Sequence, residues 1–215
     1  MPGQTLDSWS KTLETTLELR PEHISAYSLS IDAGSLFEKE VREGRLALPG
    51  DELDASMYEH AVDVLRRAGY LRYELSNFSL PGYACRHNMN YWRRGEYLGL
   101  GPGAWSFIDS KRYHAVADSR EYFVRLNTGR SVVEGAEVID RLQAVNETIM
   151  LGLRTAEGVD LDCFGRVFGA EALTKIKRNL IPLEQEGLIV AGDGKILLTE
   201  RGFLLANEAL ARLVL

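Results

Sequence analysis

Cysteine is scarce, with two residues in 215, Cys85 and Cys163. They stand far apart, which excludes a disulfide framework and suits a reducing compartment, so a cytoplasmic setting is expected. Long apolar runs are also lacking. Nothing approaches the roughly 18 residues of a membrane-spanning helix, and no basic-then-apolar start marks a signal peptide. Net positive charge is missing too. A formal charge of −6 argues against nucleic-acid binding as the main business. There are no internal repeats and no low-complexity segments. What remains is a globular mix, 45% hydrophobic and 26% charged, long enough to bury a sizeable core.

The chain reads as two parts. Thr5 or Asp7 caps a helix carrying Leu6, Trp9, Leu13 and Leu17 at helical spacing, and Pro21 stops it. His23 to Ile31 alternates like a strand. A short charged helix is expected over 35–44, and Asp51 is expected to cap a long one that runs to Ala68 and is ended by Gly69. Tyr70 to Phe78 is the next strand. Strand, helix, strand at this spacing predicts a parallel βαβ unit of an α/β fold, with ligands at the carboxyl ends of the strands. Residues 128–135 are the expected linker. Beyond Asp140 the sequence predicts a helix over 141–153, helices over 161–168 and 170–186 with a break or kink at Pro182, a hairpin through Gly192-Asp193-Gly194, and a closing helix over 201–214. Helices followed by a hairpin wing make the order winged-helix-like. The domains are therefore read as 1–130 and 136–215.

Chemistry concentrates in one stretch, Tyr83-Ala84-Cys85-Arg86-His87-Asn88-Met89-Asn90-Tyr91-Trp92, bracketed by Pro81-Gly82 and Gly95. Side chains that bind or stack, rather than ordinary loop residues, predict a long ordered surface loop. A second dense patch, Tyr97 to Ser106, carries Gly99, Gly101 and Gly103, which permit positive φ and close backbone approach. His87 reads either as an iron ligand or as a hydrogen-bonded residue pinning the loop. Tyr91 and Trp92 either stack on a flat ligand or plug the structure. Cys85 with His87 offers too few ligands for a metal site. Cys163, beside Phe164 and Phe168, reads as core. Lys175, Lys177 and Arg178 read as a solvated face rather than a nucleic-acid surface.

The run Cys85 to Trp92 resembles the His-Asn-x-x-Tyr-Trp signature of the oxygen-independent coproporphyrinogen III oxidase-like radical SAM proteins, heme chaperone (HemW) branch. Met1 to Thr5, Glu22 to Leu29, Gly69 to Phe78, Leu98 to Ser106 and Leu183 to Leu210 resemble further segments of that family. The resemblance implies the C-terminal part of a radical SAM (β/α) barrel followed by a helical, winged-helix-like module. It implies heme binding and transfer to an acceptor protein, with S-adenosyl-L-methionine and a 4Fe-4S cluster in the full-length family. Coproporphyrinogen oxidation, or a non-catalytic interaction module, are the alternative functions. By the same resemblance His87, Tyr91 and Trp92 are heme candidates, with His87 on the iron, and Ser30, Gly101, Gly103 and Trp105 lie on the SAM side. Trp105 stands where that branch usually carries His. The cluster's Cys-x-x-x-Cys-x-x-Cys is not in this sequence, so the chain is read as a C-terminal portion, not expected to catalyse alone. A missing N-terminal half or a second copy is an expected partner, beside heme and its acceptor.

Overall fold

The computed structural model describes residues 1–215. They form two compact units, Met1–Cys85 and Arg86–Leu215. This division falls elsewhere than the 130/136 boundary read from the sequence.

In the first unit, α1 (Leu6–Glu18) starts at a capping box, in which Thr5 and Ser8 satisfy each other's backbone N–H groups. Leu13 is the buried residue of its apolar stripe, and Trp9 and Leu17 pack partly buried beside the core, whereas Leu6 is exposed. β1 is only His23–Ser25, shorter than the alternation suggests. Helix α2 (Leu36–Arg42) is capped by Ser35. Helix α3 (Asp51–Arg67) has Gly50, not Asp51, at its cap position, Asp51 being its first helical residue, and it buries Met57, Ala61 and Leu65.

The stretch 70–78 is not one strand. It doubles back between β2 (Leu71–Arg72) and β3 (Asn77–Ser79). The Tyr73 N–H donates to the Asn77 carbonyl at 3.1 Å, and the Ser76 N–H donates to the Glu74 carboxylate at 3.2 Å. This local hydrogen bonding competes with a straight strand. The sheet order is β1-β3-β2, with both pairings antiparallel, so the expected parallel βαβ pairing is not formed. Ile24 faces Phe78 across it, and both join Leu13, Ala61, Leu65 and Tyr70 in the core.

The second unit opens with α4 (Arg86–Trp92). A three-stranded antiparallel sheet follows, from β4 (Trp105–Ile108), β5 (Lys111–Ala115) and β6 (Val133–Val138), with α5 (Ser119–Asn127) between the last two. The stretch expected as a linker thus runs into a paired strand. Helix α6 (Arg141–Gly152) begins at an Asp140–Gln143 capping box. It buries Val145 and Ile149 and leaves Leu142 exposed.

After β7 (Val159–Asp160) comes α7 (Leu161–Gln185), kinked at Gly169 (φ 81°, ψ 166°). Only glycine takes that conformation cheaply, and it separates the two helical segments the sequence predicts. Pro182 sits inside the second segment without ending it, between exposed Ile181 and buried Leu183. β8 (Ile189–Gly192) and β9 (Lys195–Leu198) turn through Asp193 (φ 51°) and Gly194 (φ 75°), the left-handed pair of a two-residue hairpin loop. β7 joins as a third strand, in the order β7-β9-β8. The closing helix is split into α8 (Glu200–Leu204) and α9 (Ala206–Ala211) at Leu205 (φ −104°). Gly202 lies so close to Leu188 that a Cβ there would be 1.9 Å from its carbonyl oxygen.

Candidate functional site

The aromatic stretch 86–92 is a helix, not a loop. Met89 is buried and anchors it. Its end is closed by local bonds. The Gly95 N–H donates to the Asn90 carbonyl (2.8 Å), the Asn90 amide Nδ2 donates to the Glu96 carbonyl (2.9 Å), and Arg94 turns the chain at φ 54°. Helical spacing then brings residues four apart together. His87 and Tyr91 meet edge to face, centroids 4.8 Å apart at 86°, and Tyr91 meets Tyr97 at 4.6 Å and 70°. Tyr97 continues the row to Phe107 at 6.4 Å.

His87 is exposed, and the Tyr91 edge is its one ring contact. Other histidines are engaged. His23 Nε2 lies 2.7 Å from the Tyr73 hydroxyl, and His60 Nε2 lies 2.8 Å from Ser10 Oγ. His114 stacks on Trp105 at 4.8 Å and fills the space a Cβ on Gly135 would need. The reading of His87 as a pin finds no hydrogen bond to support it.

Trp92 is separated from this row. It lines a cleft of about 330 Å³ together with Arg93, Arg94, Phe164, Val167 and Phe168. Cys163 lines the same cleft and is exposed, which corrects its reading as core. It occupies the first turn of α7, where Leu161 and Phe164 take the buried face.

Charges that the sequence reading did not single out hold this region together. Glu147 on α6 accepts from Arg94 Nε at 2.8 Å and from Arg112 Nη2 at 2.7 Å. The Arg94 guanidinium lies 4.8 Å over the Phe107 ring. Burial pushes the Glu147 carboxyl upward, but hydrogen bonds from both guanidiniums outweigh it and hold the group below the usual carboxylate range. The Glu147 bond raises Arg112 in turn. Arg94 Nη2 is out of water and has no partner. The only signal in the sequence was the basic pair Arg93-Arg94 directly after the aromatic run.

The glycines of the second patch serve the loop itself in part. A Cβ on Gly99 would lie 2.0 Å from the Trp105 carbonyl oxygen, and the Gly99 N–H donates to Ser106 Oγ at 3.0 Å. Gly101 (φ 109°) and Gly103 (φ 68°) do take positive φ, and no atom lies within 4 Å of a Cβ on Gly101. Trp105, Leu98 and Leu100 are exposed. Ser30 belongs to the first unit, in irregular chain beyond β1, and is exposed. The donor set does not fit an iron–sulfur cluster. Both thiols are free, and no three His, Cys, Asp or Glu side chains converge.

Residues 139–205 match the family model of the HemN C-terminal domain. The heme chaperone HemW of Lactococcus lactis is 32% identical over 215 residues, which is 100% of this chain and 56% of that protein. HemW of Synechocystis is 38% identical over 74% of the chain and 39% of its own length. The chain is a HemW homologue. It spans about half the length of such HemW relatives, or less. The zebrafish radical S-adenosyl methionine domain-containing protein 1 is 36% identical over 74% of the chain and 38% of that protein. A solved structure of Escherichia coli coproporphyrinogen III oxidase (HemN), described as a radical SAM enzyme, superposes with a TM-score of 0.80 at 16% identity, over 100% of this chain and 52% of that one. That likeness places the mixed helix-and-sheet fold with the C-terminal part of HemN. No helix is long and apolar enough to cross a membrane.

Proposed function

We propose that the protein binds heme as cargo and passes it to an acceptor protein, in the manner the name heme chaperone implies for its relatives. The observation that carries this reading is His87, an exposed imidazole without a hydrogen bond, edge-on to Tyr91. A neutral imidazole is a standard axial ligand of heme iron. Tyr91, 37% exposed, and Tyr97 behind it supply an aromatic flank. We assign Ser30, Gly101, Gly103 and Trp105 to the SAM side by resemblance. The positive-φ glycines support close backbone approach there. SAM and the cluster belong to the full-length relatives in this reading, and the residues of this chain do not supply the cluster. We read α6, α7 and the β8–β9 hairpin as a winged-helix-like part that meets the acceptor, and the setting as the cytoplasm.

Titration with ferric heme tests the proposal. The wild-type chain is expected to shift the Soret band saturably, and His87→Ala is expected to lose the ligand-dependent part of that shift. His60→Gln, remote in role and bonded to Ser10, is the comparison. An unchanged spectrum and affinity in His87→Ala removes the assignment.

A further inference from the structure

The β4-β5-β6 sheet has two edges, and one of them is closed. Along β4, the Tyr97 N–H donates to the Phe107 carbonyl and the Phe107 N–H to the Tyr97 carbonyl, each at 2.9 Å. The other edge is β6, which has β5 alone beside it. It is the longest strand of the chain, six residues, and five of the six are exposed.

The ladder fixes which backbone groups of β6 remain unspent. At its two ends the Val116 N–H donates to the Val132 carbonyl at 3.0 Å and the Ile139 N–H to the Ser110 carbonyl at 2.9 Å. Residue pairs along antiparallel strands alternate between bonded and non-bonded. The pairs Arg112–Glu137 and His114–Gly135 keep step with Ser110–Ile139. Gly135 and Glu137 therefore turn their N–H and C=O groups to β5, and those of Ala136 and Val138 point away from it. Beyond Gly135 the register slips at a bulge, with Glu134 as the residue left unpaired. The open ladder is thus 135–138.

Such an edge accepts one kind of ligand, an extended backbone. Sheet edges are commonly blunted by lysine or proline, and β6 has neither. Its charges choose among extended partners. Glu134 is exposed and outside every ion pair, and Glu137, with 48% of its side chain exposed, is shared with Arg112 at 3.4 Å. A second copy of β6 would bring two more carboxylates to the same ribbon, in a chain already at −6. Opposite charges across strands stabilise a pairing, and like charges oppose it.

We propose that β6 is a docking edge that takes a basic, extended segment of a partner protein as its next strand. Val138, 68% exposed, lies on the sheet face opposite to that of Glu137. A segment alternating lysine with β-branched residues therefore meets both faces. This edge is independent of the heme-carrying reading.

The probe is an end-capped, fluorescently labelled peptide alternating lysine with valine, titrated into the full chain and followed by anisotropy. Saturable binding is expected, with slowed hydrogen exchange at the Ala136 and Val138 amides. The Gly135 and Glu137 amides, already bonded to β5, should change little. Ala136→Pro removes an outward N–H and leaves the β5 ladder whole, as prolines on edge strands do. It is expected to weaken binding at least about tenfold. Should that variant lose its fold, N-methylation of the peptide carries the test. Methyl groups on alternate residues should abolish binding in one phase and spare it in the other. A peptide with glutamate in place of lysine is expected not to bind. The proposal is overturned if the lysine peptide does not bind, if the glutamate peptide binds as well, or if both methylation phases bind alike. A folded Ala136→Pro with the parent's affinity also overturns it. So does a dimer in sedimentation that Ala136→Pro dissociates, which would give the edge to a second copy.

Discussion

Removing the carboxylate of Glu147 is the most informative single change to the frame around α4. One side chain holds two cations from separate elements, Arg94 just after α4 and Arg112 on β5. In Glu147→Ala both guanidiniums stay half-buried and lose their shared partner, while Arg94 already has Nη2 unpaired. Breaking a fully buried pair costs about 3–5 kcal/mol. Here the side chains keep 17%, 23% and 29% of their exposure, so water screens part of the loss, and about 2 kcal/mol is expected. At this chain length that corresponds to a Tm lower by about 4–8 °C.

The pH dependence has a definite sign. The folded carboxyl of Glu147 lies below its ordinary value, so its contribution is present above the unfolded value and fades as pH falls through the folded one. Parent and variant should therefore converge on the acid side. Arg94→Met should cost less than Glu147→Ala, because Glu147 keeps Arg112 and the unpaired Nη2 is gone. Calorimetry with hydrogen exchange at the α4 and α6 amides reads both effects. A Glu147→Ala melt within 1 °C of the parent at neutral pH would refute the clamp.

Gly99→Ala places a Cβ 2.0 Å from the Trp105 carbonyl oxygen, so it should cost about 2 kcal/mol or more and release exchange protection at Tyr97 and Phe107, whose backbones pair. Burial raises the Glu74 carboxyl, against hydrogen bonds from Ser76, Asn77 and Leu75 that lower it. Its protonated form is therefore favoured on folding, and its contribution is lost as pH rises through the folded value. Glu74→Gln should accordingly match or exceed the parent in stability at pH 8, with the gain shrinking toward acid in urea melts. A growing gain toward acid would contradict the assignment.

Local chemistry was legible in the sequence where it acts over a few residues. Thr5, one of the two caps the sequence offers for the first helix, does cap it, and Asp193-Gly194 turns the hairpin, whereas Gly50 takes the cap position expected of Asp51. The stretch 70–78 misled because its alternation suits a strand, whereas the Glu74 side chain and Tyr73 N–H close a turn inside it. The aromatic run read as a loop because Pro81-Gly82 and Gly95 bracket it, and its Asn, His, Tyr and Trp are weak helix formers. Burial of Met89 and closure by Asn90 override that preference. The residues of the candidate site were found by their chemistry, but their grouping was not. Which face Trp92 takes depends on Phe164 and Phe168, and the Glu147 clamp joins positions more than 30 residues apart in the chain. Pattern reading has no access to such pairings.

The central claim is that His87 is the ligand through which this chain takes heme iron. Resonance Raman spectroscopy of the ferrous heme complex reads the iron–imidazole bond directly. The account expects that band in the wild-type chain, its loss in His87→Ala, and its return when free imidazole is added to the variant. A band that persists in His87→Ala without added imidazole would show that another residue binds the iron, and would contradict the account.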